Sequence, residues 1–72
     1  EEFEVEFSLE NEEIISIGIY DVTGRKVKDL YSGLLKSGLH NLDIDASDIA
    51  KGSYFIELKL NDSSFRKIII KS

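Results

Sequence analysis

The sequence predicts an all-β chain, a small antiparallel sandwich of six to seven short strands. Three observations carry that expectation. Apolar residues recur on every second position in several runs, the mark of strands with one wet face. Clusters of Asn, Asp, Ser, Lys and Gly separate those runs at short spacing, as turns do in all-β domains. No helical period extends over ten residues or more. The length of 72 residues fits one small domain, near the size where a core supplies only about 3–5 kcal/mol of net stability. With no Met at position 1 and no charged-then-apolar leader, residues 1–72 read as one piece of a longer precursor.

The elements follow in order. Phe3, Val5, Phe7 and Leu9 alternate with Glu4, Glu6, Ser8 and Glu10, and "NEE" then turns the chain. Ile15, Ile17 and Ile19 form the next apolar face, with Ser16 and Gly18 opposite. In "YDVTGRKV", Asp21 and Gly24 hold the first and last places of a type I turn, where glycine accepts the positive φ that re-enters the ladder. Residues 14–35 therefore read as a hairpin whose second arm carries Val27, Leu30 and Tyr31. The spacing of three from Val27 to Leu30 breaks alternation and predicts a bulge. After "KSG", Leu42 and Ile44 share a face with His40. "DASDIAKG" is a polar crossover with Ile49 as its apolar plug. Tyr54, Ile56, Leu58 and Leu60 then face one way, and Phe55, Glu57 and Lys59 the other. "NDSS" makes the last turn, and "FRKIIIK" forms the last strand with Ile68 and Ile70 inward.

Ile49, Gly52 and Tyr54 make a recognisable structural corner. In immunoglobulin-like sandwiches a tyrosine near a strand's start folds back over the preceding crossover, its hydroxyl bonding to backbone a few residues upstream. A plug, a residue free to turn and a ring stand in that arrangement here, so the sandwich is expected to be immunoglobulin-like. A hydroxyl that keeps a partner on burial avoids a desolvation cost of about 1–3 kcal/mol.

Charge and residue inventory narrow the function. The net charge is −5, and residues 1–13 hold seven glutamates and no base, whereas the remainder has 7 acids and 9 bases. An acidic total argues against nucleic acid or anionic lipid as the main partner. The longest apolar run is three residues, Ile68 to Ile70, so no segment is expected to insert in a membrane. Without cysteine there is no disulfide and no thiolate metal site, and His40 is the only histidine, which excludes the common structural zinc sites. Asp43, Asp45 and Asp48 only loosely resemble a calcium loop, lacking its glycine and terminal glutamate. Ser37 and Ser47 lie near His40 in sequence without a nucleophile-elbow pattern. Neither a phosphate-cradling loop nor a cleft for paired carboxylates is evident. The expectation is therefore a chain that is not an enzyme, with no catalytic residues, no cofactor, no metal and no small-molecule substrate.

The order of pieces resembles a known family. Tyr20, Asp21, Gly24, Arg25 and Val27; Gly33; Gly38 and His40; Asp45, Ser47, Ile49, Gly52 and Tyr54; and Lys67 and Lys71 resemble the pattern of the C-terminal sorting domain, type A, of the type IX (Por) secretion system of Bacteroidota. The resemblance covers about residues 14–72. Two departures stand out: there is no Asn-Pro-Phe-like opening with its additional early strand, and Ser53 follows Gly52 where an apolar residue is common. The resemblance implies a folded address tag on an exported cargo, read in the periplasm by the translocon. It further implies a sortase-like peptidase that removes the tag, and cargo that is anchored at the cell surface or released. Gly24, Arg25, Arg66, Lys67 and Lys71 are the expected recognition residues, in the "TGR" turn and the last strand. Two other non-catalytic modules stay in play: the immunoglobulin-like module of flagellar hook-capping proteins, and an adhesive or carbohydrate-binding accessory module. The first usually carries a tryptophan missing here, and the second would rest on Phe55 and Tyr31 alone. The oligomeric state is left open by the sequence.

Overall fold

A computed structural model describes residues 2–72; Glu1, the first acid of the acidic run, lies outside them. Among the described residues six strands form and no helix. They are β1 (Glu2–Leu9), β2 (Glu13–Asp21), β3 (Lys26–Leu35), β4 (Gly38–Asp45), β5 (Gly52–Lys59) and β6 (Ser64–Lys71). All pairings are antiparallel, in a two-stranded sheet β1-β4 and a four-stranded sheet β3-β2-β5-β6. The count sits at the lower end of the six to seven expected, and the all-β sandwich is the observed class.

Alternation dictates the core. Leu9, Ile15, Ile17, Ile19, Ile44, Tyr54, Ile56 and Ile69 are buried together, with Phe3, Val5, Phe7, Leu30, Tyr31 and Ile49 packed around them. The small sheet lies across the large one. Val5, Phe7 and Leu9 of β1 approach Ile56 and Leu58 of β5 and Phe65 of β6, while His40 and Leu42 of β4 approach Ile17, Tyr31 and Leu35. The turn at 21–24 closes as its residues require: Gly24 N–H donates to the Asp21 carbonyl at 3.0 Å, and Gly24 holds φ +92°.

Two details differ from the sequence expectation. The expected bulge in β3 is present, the β2–β3 register skipping Leu30, but the register also skips Val27, which is turned to solvent rather than into the core. In β6 the phase is inverted: Ile69 is 8 % exposed, whereas Ile68 and Ile70 are 62 % and 66 % exposed. The cause is the β5–β6 register. Ile69 stands opposite the inward Tyr54, while Ile68 and Ile70 stand opposite Phe55 and Ser53. Directly opposed residues of an antiparallel pair share a face, so the inward phase of β5 selects Ile69.

Candidate functional site

The residues singled out above fall into two regions. The first is the crossover 46–51 between β4 and β5, which joins the two sheets. Side chains from three strands hold it and the end of β4 that leads into it. The Tyr54 hydroxyl donates to the Ala50 carbonyl at 2.5 Å. The Lys71 ammonium donates to the carbonyls of Ala46 at 2.5 Å and Ile49 at 2.6 Å. The Lys28 ammonium donates to the Asp45 carbonyl at 2.7 Å and to Asp48 Oδ1 at 3.0 Å. Asp45 Oδ1 accepts from Ser47 N–H at 2.9 Å, and Ile49 N–H donates to the Ala46 carbonyl. Carbonyls in a six-residue loop cannot join a ladder, and buried ones need partners. Here Lys71 of β6 and Tyr54 of β5 supply them, while Lys28 of β3 holds the Asp45 carbonyl at the end of β4 and the Asp48 carboxylate in the loop. Gly52 enters β5 at φ +148°, a conformation L side chains rarely adopt.

The loop's carboxylates are tuned by the same contacts. The Asp48 carboxyl is held below its ordinary value by the Lys28 ammonium, and that of Asp45 by the Ser47 N–H. Both are thereby committed within the protein. Among the described residues no group of three His, Asp or Glu side chains is placed to hold a metal ion.

The second region is the outer face of the four-stranded sheet. Asp21 organises its turn: Oδ1 accepts from Thr23 N–H at 3.0 Å, the Thr23 hydroxyl at 2.6 Å and Arg25 N–H at 3.0 Å. The Thr23 hydroxyl is the main cause of a lowered Asp21 pKa. Next to the turn, Lys26 Nζ lies 5.8 Å from the centre of the Tyr20 ring, and the Arg66 guanidinium 5.8 Å from that of Phe55. Glu57 stands between Gly18 and Arg66 in register. Arg66 Nε donates to Glu57 Oε2 at 2.8 Å, and Lys59 Nζ lies 3.6 Å from Oε1. Covered by these neighbours, Glu57 is only 5 % exposed although it faces outward, and the Arg66 hydrogen bond holds its carboxyl below the ordinary value of 4.5. Gly18 makes room: a Cβ there would meet the Lys28 carbonyl at 3.3 Å and the Tyr20 ring at 3.4 Å.

The five expected recognition residues are thus divided. Gly24 and Arg66 line one depression of about 440 Å³ with Tyr20, Phe55, Glu57 and Lys59. Arg25 projects from the turn with its side chain 80 % exposed, 3.5 Å from Asp21 Oδ2. Lys67 lines a different feature, an apolar groove of about 310 Å³ between β1 and β6 whose walls include Val5, Phe7, Leu58, Leu60 and Phe65. Lys71 is turned into the crossover. His40 takes no part in either region; its Nε2 donates to the Lys36 carbonyl at 2.7 Å and its ring stacks on Phe7. Sequence reasoning passed over Glu57 and Lys28. The available signal for Glu57 was weak: it is the one acid within β5 and β6, and only register shows it facing Arg66.

Compared with known proteins, the chain matches the family model for the secretion system C-terminal sorting domain over residues 1–71. No curated protein and no solved structure gives a match.

Proposed function

The chain belongs to the family of type IX secretion system C-terminal sorting domains, and from that premise we propose that it acts as a folded address tag. The family match over residues 1–71 carries this reading. In the proposed sequence of events the cargo reaches the periplasm with the tag folded behind it. The translocon at the outer membrane reads the tag, and a sortase-like peptidase cuts upstream of it. Cargo is then exchanged onto a surface anchor or released. Nothing in this role requires bond chemistry by the tag itself. What it requires is a stable scaffold and an exposed feature that a machine can distinguish from other folded surfaces.

Both requirements have a physical counterpart here. The crossover clamp supports the scaffold, tying β3, β5 and β6 to the loop that joins the sheets. The turn at 21–25 and the last strand supply the exposed features, with Arg25, Arg66 and Lys67 presenting charge and Gly24 shaping the turn. A periplasmic reporter fused ahead of residues 1–72, in a bacterium carrying the type IX machinery, is expected outside the cell. The same fusion lacking residues 67–72 is expected to stay in the periplasm. A full-length fusion retained in the periplasm as completely as the truncated one would overturn the reading.

A further inference from the structure

The four-stranded sheet ends in two edges of opposite character. On β3 the ladder is interrupted twice, at Leu30 and Val27, which twists that edge and spoils it as a template. On β6 the register with β5 runs unbroken through eight residues, from Ser64 to Lys71, with no proline and no bulge. Among the described residues nothing pairs with its other side. Ile68 and Ile70 stand exposed on one face of this edge, beside Phe55. On its other face lies the apolar groove shared with β1. Folded proteins usually blunt a long apolar edge of this kind, because it invites another strand.

We propose that the β6 edge takes an added strand from a partner protein, and that this strand alternates acidic and apolar residues. The proposal rests on the sorting-tag reading and names how the tag would be read. Charge selects the partner. β6 turns Arg66 and Lys67 to solvent and has no acid, so pairing with the same strand of a second copy would set four cations along one seam with no acid on either strand. The acidic face of an added strand meets Lys67 on the groove side instead. The strand's apolar residues all fall on the opposite face, over Ile68 and Ile70. Main-chain hydrogen bonds supply affinity and these side-chain positions supply selectivity, as in other strand-addition complexes.

Two experiments test this. In the reporter fusion, Ile68→Lys with Ile70→Lys is expected to lower export about tenfold or more at unchanged melting temperature, and Lys67→Glu to lower it in the same direction. Leu34→Lys, on the blunted β3 edge, is expected to leave export intact. Separately, amide exchange of the purified 72-residue chain is followed with the peptide Glu-Val-Glu-Ile-Glu-Val-Glu, capped at both ends, and with its lysine counterpart. The acidic peptide is expected to slow exchange in residues 64–71 at least about fivefold, and the basic one not at all. Export unaffected by the double lysine variant, protection mapping to β1 or β3, equal protection by the basic peptide, or protection that grows with chain concentration alone would each overturn the proposal. Failure of the unsubstituted fusion to leave the periplasm would count against the tag reading instead, and the exchange result would still decide the edge.

Discussion

Tyr54 and Lys71 act on the same six-residue loop from adjacent strands. The phenol holds the Ala50 carbonyl, and the ammonium holds those of Ala46 and Ile49. Replacing Tyr54 with Phe keeps the buried ring and deletes one hydrogen bond, so a loss of about 1 kcal/mol is expected in urea unfolding. Lys71→Met keeps the stem and leaves two carbonyls without their charged donor; about 2 kcal/mol is expected. Because both side chains fix one backbone segment, the double variant is expected to lose less than the sum of the two. Additive losses would mean that the loop is held at each point independently. A lysine at a strand's end reads in sequence as edge protection or as a docking charge, and its contacts 22 and 25 residues away are what give it a loop-holding role.

At the level of the strand pair, β5 and β6 are joined across their outer face by Glu57 and Arg66. The guanidinium lowers the Glu57 pKa below 4.5, so the folded state favours the ionised carboxylate more than the unfolded chain does. Stability from this pair is therefore complete above about pH 4.5 and is lost as pH falls through the folded value. Glu57→Gln is expected to lower stability at pH 7 and to flatten the acid limb of a stability–pH profile below about pH 4.5. An unchanged slope would show that Asp21, Asp45 and Asp48, whose values are also lowered, carry the whole acid dependence. This pair also marks how far the sequence could be read. Alternation placed Phe3 to Leu9, Ile15 to Ile19 and Tyr54 to Ile56 on their faces, and Asp21 with Gly24 placed the turn, because each signal is local. The phase of β6 was not local: three successive isoleucines satisfy either phase, and only the pairing of Ile69 with Tyr54 decides between them. The burial of Glu57 likewise depends on Gly18 from β2 and Arg66 from β6, partners that register alone brings together.

Across the whole molecule, charge is segregated by layer. The outer face of the small sheet presents Glu2, Glu4 and Glu6 on β1 and Asp43 and Asp45 on β4, with Glu2 opposite Asp45 and Glu4 opposite Asp43. Like charges directly opposite across a ladder repel, and the two-stranded sheet has few other pairings to offset that. The four-stranded sheet, by contrast, ends in a strand with three bases and no acid. A domain of this size has little stability in reserve, so the repulsion should be measurable. Glu4→Lys converts one opposed pair into an attractive one and is expected to raise the melting temperature at low ionic strength. At about 0.5 M salt, where the Debye length is only a few ångströms, the gain is expected to shrink while the unsubstituted chain itself becomes more stable. A melting temperature that falls with salt in the unsubstituted chain would instead assign the dominant electrostatics to the ion pairs of Glu57 and Asp48, which salt weakens. The sign of that response therefore distinguishes a scaffold strained by its acidic layer from one held chiefly by its cross-strand pairs.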